Sequence, residues 1–360
     1  MRFVRVILVT MALAAAAVPL PSRLVEAWYS RRFYPAIQGV VTPLSNSVPV
    51  ALLDIAALVL LVTLAIGFWR RVRTAGMLRA LVSSVLSRVT LTAIVFLLFL
   101  ALWGLNYRRV PLDEKLEYDR SRVTGEAAIR LGNHAVREVN ALHAAAHKLD
   151  AGLDAGFDAG LNAGVGMQWP GLDTAFVSAQ RMLGSDRFAV PGVPKRSLLE
   201  RYFRAAAIDG MTDPFFLEVI LNPDALPFER PFVLTHEWAH LAGYANEAEA
   251  NFVAWLACSQ GDSMARYSGW LAIFEHVAAS LPKADRTALT SQLAAGPRRD
   301  LQEAAARYAK ASPVVRTAAR DVYDAYLRAN RVNEGVANYT AVVRLMLGAG
   351  LEDGRRPKLR

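Results

Sequence analysis

Two histidines one helical turn apart, His236 and His240, are the residues of this chain best suited to chemistry. They belong to the pattern H-E-x-x-H, which lies in an apolar, alanine-rich stretch that predicts a helix. Residues i and i+4 of a helix share a face, so both imidazoles point at one ion. Neutral imidazole is a good ligand for zinc. Glu237 follows the first ligand directly, where its carboxylate can take a proton from a water on that ion. The pattern therefore predicts a metal-dependent hydrolase.

A third donor must lie close after this pattern, because a catalytic zinc site usually has three protein ligands and a water. Gly243 is placed to end the first helix, and Asn246 to cap a second helix that starts at Glu247. A chain that folds back after so short a turn returns Glu247 to the ion. Glu249 is the rival donor, on another side of the second helix. Both glutamates also fit helix-dipole compensation, which does not exclude ligation by one of them.

These residues carry a family resemblance. The motif at residues 236–240, followed by E-x-x-A-N at residues 247–251, resembles the zincin metallopeptidases that have a glutamate as third ligand. The resemblance implies that His236, His240 and Glu247 bind Zn²⁺. It also implies that Glu237 is the catalytic general base.

The spacing departs from many glutamate zincins, which place the second helix much further on. The layout is nearer that of the metzincins, whose glycine Gly243 matches, but Asn246 stands where metzincins have a third histidine. The chain as a whole, with apolar N-terminal segments before the motif, is also similar to a bacterial membrane-protein family of unknown function. That wider similarity does not establish a reaction.

Apolar residues are concentrated in the first third of the chain. The composition is 54% apolar with a mean hydropathy of +0.23, which is too high for an ordinary soluble protein of 360 residues. The apolar runs predict three transmembrane helices, at residues 1–21, 48–68 and 89–106, of which the first could instead be a signal peptide. Buried core helices are the alternative. Residues 107–360 are predicted to form a zincin-like α+β metallopeptidase domain, mainly helical with a small sheet. Together with the three helical spans, this makes the expected fold class mainly α.

The arginines orient the predicted spans. Residues 1–105 contain ten arginines, no lysine and two acids, and so account for most of the net charge of +9. Residues 69–88 carry five of these arginines and no acid, which predicts a cytoplasmic connection by the positive-inside rule. Arg108 and Arg109 oppose the rule but are outnumbered. The sequence thus predicts a multi-pass protein of the cell inner membrane with an extracytoplasmic catalytic domain. It predicts the lipid bilayer as a partner, and no nucleic acid.

Two stretches before the motif carry further patterns, a pair of histidines and a short repeat. A helix predicted over residues 124–149 carries His143 and His147, an i, i+4 pair. The pattern offers no third donor for a second metal site, so a solvated helix face is the favoured interpretation. Residues 150–165 repeat a four-residue unit of Asp or Asn, Ala, Gly and an apolar residue, and their glycines predict a loop insertion.

Two further features concern substrate and transition state. Residues 211–222 are predicted to form one strand, which by resemblance to zincins is the candidate to bind a peptide substrate by strand addition. An ordinary core strand is the alternative. The group that stabilises the transition state is left open among Tyr339, Tyr323 and His276.

The functional prediction is a membrane-anchored zinc metallopeptidase that hydrolyses peptide bonds of a peptide or protein substrate in the cell envelope. One alternative is a non-catalytic membrane protein in which a structural metal joins two helices. Another is a zinc hydrolase with a different substrate. The chain contains no Walker loop, Rossmann glycine pattern or G-x-S-x-G, so nucleotide-binding and serine-hydrolase chemistry have no support.

The predicted topology can be tested with reporter fusions. Alkaline phosphatase, which is active only outside the cytoplasm, should be active when fused after Arg360, because residues 69–88 hold the connection between two spans inside. The matched control is the same enzyme inserted within residues 69–88, which should be inactive. The opposite pair of results would place the domain in the cytoplasm.

Overall fold

The computed structural model describes residues 2–163, 169–330, 341–352 and 356–360. Helices make up most of these residues, and one three-stranded sheet is present among them. The prediction of a mainly α protein is therefore confirmed.

The N-terminal part consists of helices with two long apolar members. Its segments are α1 (Arg2–Ala17), α2 (Ser22–Leu24), a π-helix (Val25–Phe33), α3 (Tyr34–Asn46), α4 (Leu52–Ala75) and α5 (Met77–Leu102). By length and composition α4 and α5 can each cross a membrane. The helices before them bend by 112° at the break before Ser22, and this bent pair makes a third candidate span if it is counted as one. Pro19 and Pro21 lie in that break, where proline disfavours a continuous helix.

The arginine-rich connection is helical almost throughout. Helices α4 and α5 are separated only by Gly76, which has a φ of 77°. The predicted spans at residues 48–68 and 89–106 thus overlap longer helices, which begin at Leu52 and end at Leu102. Arginine, alanine and leucine between them are good helix formers, so the helices continue to the point where glycine allows a reversal.

A long helix follows the apolar part. Two 3₁₀ turns (Gly104–Arg108 and Arg120–Arg122) and α6 (Leu112–Lys115) lead to α7 (Gly125–Ala163). The helix predicted over residues 124–149 is confirmed. The loop predicted over residues 150–165 is wrong as far as Ala163, because the helix continues through the repeats. Their alanines and leucines favour a helix enough to outweigh the cost of about 1 kcal/mol for each glycine.

The remaining elements alternate briefly between strand and helix and then are helical. They are α8 (Leu172–Met182), β1 (Pro194–Lys195), α9 (Glu200–Ala206), β2 (Gly210–Asp213), β3 (Glu218–Leu221), α10 (Arg230–Leu241), α11 (Glu247–Cys258), α12 (Ser263–Ser280), α13 (Lys283–Ser291), α14 (Ala295–Ala309), α15 (Pro313–Ala329) and α16 (Ala341–Gly348). The sheet order is β1-β3-β2, with β1 parallel and β2 antiparallel to β3.

The single strand predicted over residues 211–222 is wrong, because the structure divides it into β2 and β3. The carboxylate of Asp213 accepts hydrogen bonds from the backbone N–H groups of Phe215 and Phe216, and Leu217 has a φ of 49°. An aspartate that bonds the backbone two residues on favours a turn over a continuous strand. The result is a hairpin in which β2 is an edge strand and every residue of β3 is buried.

The sheet is attached to the first long apolar helix through a buried charge. Glu218 of β3 pairs with Lys195 of β1 at 2.8 Å, and both side chains are almost completely buried. The same carboxylate accepts hydrogen bonds from the backbone N–H groups of Leu52 and Leu53, in the first turn of α4. A carboxylate at a helix N-terminus satisfies donors that have no partner within the helix. Glu218 therefore fixes the start of α4 against the sheet.

Helix α11 lies at the centre of the hydrophobic core. All twelve of its residues are buried, between α8, α10, α12 and α16. The core cluster around it includes Tyr29, Tyr34 and Trp103 from the N-terminal part. The core therefore continues across residue 106, where the sequence predicts the catalytic domain to begin.

Candidate metal centre

The site is built on the reversal between α10 and α11. Gly243 has a φ of 82°, and the Tyr244 N–H donates to the Ala239 carbonyl at 3.0 Å, which ends α10. The Asn246 side chain accepts from the N–H of Ala248 at 2.9 Å and so caps α11. Both local predictions, the glycine end and the asparagine cap, are confirmed. A reversal this short places the first residue of α11 opposite the last turns of α10.

The reversal brings together the three side chains that the sequence proposes as ligands. His236 Nε2 lies 3.1 Å from His240 Nε2 and 3.3 Å from a carboxylate oxygen of Glu247. The other oxygen of Glu247 lies 3.6 Å from His240 Nε2. Zinc binds nitrogen and oxygen at about 2.0–2.2 Å, which for a tetrahedron separates neighbouring donors by about 3.3–3.6 Å. The donor set and its spacing fit a zinc ion.

Glu249 lies away from this cluster. Its carboxylate accepts a hydrogen bond of 2.6 Å from the backbone N–H of Leu112, at the start of α6. Arg109 and Lys115 are its nearest opposite charges. The structure therefore places Glu247, and not Glu249, beside the two histidines, as the helical period indicates.

Hydrogen bonds and charges prepare these side chains to act as donors. The Nδ1–H of His240 donates to the Tyr244 carbonyl at 2.8 Å, which leaves the Nε2 lone pair facing the cluster. Burial lowers the pKa of His240 to about 4. Burial opposes ionisation of Glu247, but His240 and His236 outweigh it and lower the pKa of that carboxyl to about 2. An ionised carboxylate and a neutral imidazole are the forms that a metal requires.

His236 responds differently from His240. Burial disfavours its charged form, but the carboxylates of Glu247 and Glu237 outweigh burial and raise its pKa. The Asn251 amide, the last residue of E-x-x-A-N, also favours a proton on this ring. The two histidines of the pair therefore differ, since the pKa of His236 is raised and that of His240 is lowered.

The Glu237 carboxylate is not one of the three donors and contacts the sheet. Burial raises the pKa of its carboxyl to about 7, and the Thr212 hydroxyl donates to its Oε2 at 2.7 Å. A Cβ at Gly210 would lie 2.8 Å from Oε1, so a larger residue there would displace this carboxylate. Strand β2 therefore positions a proton acceptor next to the histidines, with a pKa in the range suited to general-base chemistry.

A cavity of about 910 Å³ opens beside these groups. His236, Glu237 and the β2 residues Gly210 and Thr212 form part of its wall, and residues of α9, α12 and α15 form much of the rest. Small-molecule and peptide sites commonly have volumes of about 300–1,000 Å³. The candidate donors thus face a space large enough for a substrate segment.

The three candidates for transition-state stabilisation have different positions. The Tyr323 hydroxyl donates to Glu247 Oε1, and both Tyr323 and His276 border the cavity. Burial lowers the pKa of His276 to about 4, so this ring is neutral at ordinary pH. Tyr339 lies outside the described residues. Two of the candidates therefore remain beside the site.

Three side chains that no sequence pattern indicated donate hydrogen bonds to carbonyls at and just after the end of α10. Trp103 Nε1–H donates to the His240 carbonyl at 3.0 Å, and the Tyr34 hydroxyl donates to the Leu241 carbonyl at 2.8 Å. Arg109 donates from Nη1 to the Gly243 carbonyl at 3.0 Å. The Leu241 and Gly243 carbonyls obtain a donor in this way, and the His240 carbonyl, which also accepts from the Gly243 N–H at 2.9 Å, obtains a second one.

Arg109, one of the two arginines that oppose the positive-inside rule, has a structural role. Its guanidinium bonds both oxygens of Glu26, at 3.0 and 3.2 Å, and lies 4.8 Å from the centre of the Tyr244 ring. Glu26 and Arg109 thus form a partly buried ion pair against the turn between α10 and α11. The sequence signal for Arg109 was its position against the charge rule, next to an apolar span.

Comparison with known proteins identifies a family but no activity. A family model described as protein of unknown function (DUF3810) matches residues 29–347, so the chain belongs to that family. No curated protein and no solved structure matches the chain.

Loss of one cap on α10 should destabilise the fold. Tyr34→Phe leaves the Leu241 carbonyl buried without its donor, which costs about 1–3 kcal/mol. We expect a lower thermal unfolding midpoint for the detergent-purified protein. Tyr202→Phe is the matched control, because Tyr202 is 43% exposed, and it should unfold like the wild type. Equal midpoints for all three proteins would show that the carbonyl does not depend on Tyr34.

Proposed function

We propose that this family member is a membrane-anchored zinc metallopeptidase, with His236, His240 and Glu247 as zinc ligands and Glu237 as general base. The observation that carries the proposal is the arrangement of four side chains. Three of them are donors at zinc spacing, and the fourth, the carboxylate of Glu237, lies beside them and lines a cavity. Two histidines and a glutamate are a donor set typical of catalytic zinc.

Bound zinc would supply Lewis-acid polarisation of the scissile carbonyl and a lower pKa for the attacking water. Glu237 would accept the proton of that water on its carboxylate and deliver it to the leaving amine. Thr212 holds Oε2 of this carboxylate by a hydrogen bond of 2.7 Å, so the Oε1 atom is the one nearer the glycine side of the site.

The position of β2 supports a peptide as substrate. Strand β2 pairs with β3 on one side only, and Gly210, Met211 and Thr212 line the cavity. An edge strand has free main-chain donors and acceptors, to which an extended peptide can add as a further strand. The buried strand β3 takes the core role, so the two halves of the predicted strand have different functions.

Tyr323 is the group that we assign to the transition state. Its hydroxyl contacts Glu247 Oε1 and its side chain lines the cavity, so it can reach a developing oxyanion next to the ligands. His276 also lines the cavity, where burial and the charge of His236 lower its pKa. Because the Tyr323 hydroxyl already bonds the proposed zinc ligand Glu247, Tyr323 is better placed than His276.

An open cavity favours catalysis over a structural metal. A structural zinc site is closed by four protein donors, whereas this cluster offers three donors and borders a cavity of about 910 Å³. Glu237 lies beside these donors without being one of them, as a general base must, and its raised pKa suits that role. These features support an enzyme.

The cavity also lies close to the apolar helices. Trp103 and Tyr107, directly after α5, line it, and the carboxylate of Asp54 in α4 accepts from the Ser197 hydroxyl and the Leu198 N–H just before α9. A site tied to the ends of two apolar helices would meet substrates at the membrane surface. This arrangement supports cleavage of peptide bonds near the bilayer, and the arginine-rich connection at residues 69–88 supports an extracytoplasmic site at the inner membrane.

The ligand assignment predicts the metal content of variants. His236→Ala, His240→Ala and Glu247→Gln should each weaken zinc binding by at least ten-fold, because each removes or neutralises a donor. Glu249→Gln is the matched control on the same helix, since Glu249 bonds the Leu112 N–H and lies apart from the histidines. Competition with a coloured chelator measures the affinity. An unchanged number of tightly bound zinc ions per chain in the His236→Ala, His240→Ala double variant would exclude this centre.

Glu237→Gln separates catalysis from metal binding. The amide is nearly the same size as the carboxylate, so zinc content and thermal stability should stay near wild type. Loss of the general base should lower peptide hydrolysis by about 10²–10⁴-fold or more. A library of quenched peptides presented on vesicles provides the assay. Wild-type hydrolysis by this variant would remove the catalytic role of Glu237 and leave the metal centre standing.

A further inference from the structure

A second group of potential metal ligands lies outside the centre described above. His143 and His147 of α7 meet Asp300 of α14, which lies 153 residues after His147. His147 Nε2 is 2.9 Å, and His143 Nε2 is 3.6 Å, from the same Oδ2 atom of Asp300. The two imidazole rings are 4.3 Å apart between their centres. The third donor that the sequence pattern lacked is therefore supplied by a distant helix.

The donor spacing here is close to that of the first centre. Donor separations are 3.1–3.6 Å among His236, His240 and Glu247, and 2.9 and 3.6 Å from the two histidines of this group to the carboxylate. In both groups one atom of each residue lies within 4.8 Å of the others. One ion at about 2.0–2.2 Å from each donor accounts for such spacing.

The carboxylate is held in place by a further contact. The Asp300 side chain is 4% exposed and also accepts a hydrogen bond from the Tyr267 hydroxyl of α12. Metal-binding carboxylates are typically oriented by such outer hydrogen bonds. The histidines are 26% and 31% exposed, so the group is open to solvent on the imidazole side. An ion would have an entry path and at least one position free for water.

We propose that His143, His147 and Asp300 form a second binding site for a divalent cation of the zinc class. Two imidazoles and one carboxylate select zinc, cobalt or nickel over magnesium and calcium, which prefer oxygen-only sites. The site joins α7 to α14, with Tyr267 of α12 as its outer support. It is a site for stability or regulation, because Glu237 and the other groups proposed for hydrolysis lie in the separate cavity.

The site is separated from the cavity by one helix and one ring. Tyr267 supports Asp300, while its neighbours in α12, Ser268 and Leu271, line the cavity. Phe228 lies 6.2 Å from the His147 ring and also lines the cavity. An ion held here would therefore stabilise the outer side of the wall that forms the candidate active site.

The competing explanation is a hydrogen-bond network without metal, since His147 and Asp300 are already within 2.9 Å. The two explanations differ in metal content. Full-length protein in detergent is loaded with Co²⁺, removed from excess ion and analysed for cobalt per chain. Cobalt also reports its geometry through visible absorption. The proteins are the wild type, His143→Gln with His147→Gln, His236→Gln with His240→Gln, and the combination of all four changes.

The proposal expects two cobalt ions in the wild type, one in each double variant and none in the combined variant. The first centre and this site are thus tested independently. If the first centre did not bind, the wild type would hold one ion and His143→Gln with His147→Gln would lose it. Equal cobalt content in the wild type and in His143→Gln with His147→Gln would overturn the second site, whatever the first centre does.

Gly296→Ala provides a variant that removes no donor. A Cβ at Gly296 would lie 2.3–2.6 Å from the ring atoms of His143, so that ring must move. We expect cobalt affinity at this site to fall at least ten-fold in the His236→Gln, His240→Gln background. Gly125→Ala, in the first turn of α7, the helix that carries His143, is the control because nothing lies within 4 Å of a Cβ at this position. Unchanged affinity in Gly296→Ala would contradict ligation by His143.

Discussion

Three hydrogen bonds to the carbonyl end of α10 set the position of the whole centre. Trp103 and Tyr34 donate to the carbonyls of the last two residues of α10, and Arg109 donates to the Gly243 carbonyl just after it. Trp103 and Tyr34 precede residue 106, whereas Arg109 follows it. The H-E-x-x-H helix is therefore attached through its own backbone to the part of the chain that contains the apolar helices, and the two parts share the hydrophobic core. Separation at residue 106 would expose this core and remove the donors Trp103 and Tyr34, so the site and the apolar helices form one folding unit.

Helix α12 connects the two candidate metal sites. One face supports Asp300 through Tyr267, and the next turn lines the cavity with Leu271 and Glu275. Burial raises the pKa of Glu275 to about 7, so a second weakly acidic group lines the same cavity as Glu237. Because protein interiors are close-packed, the packing of α12 constrains the proposed second site and the cavity wall together.

Sequence analysis could predict what depends on neighbours in the chain. The helix end at Gly243, the cap at Asn246 and the preference for Glu247 over Glu249 all follow from local periodicity, and the structure has each of them. Contacts between distant residues were not predictable, because no pattern specifies them. Asp300 reaches His147 over 153 residues and Trp103 reaches His240 over 137. The hairpin was missed for another reason, since the turn at Asp213 depends on a side chain bonding its own backbone rather than on the apolar pattern.

In the proposed peptidase, strand β2 would set the positions of base and substrate together. Gly210 leaves space beside the Glu237 carboxylate, Thr212 holds that carboxylate by a hydrogen bond, and both residues line the cavity. A peptide added to this edge would have its register fixed by the same backbone that fixes the base. Strand pairing, with its spacing of about 4.7–4.9 Å, would then set the distance between the scissile bond and Glu237. One rigid element would position both reacting groups, and no loop would have to close over them.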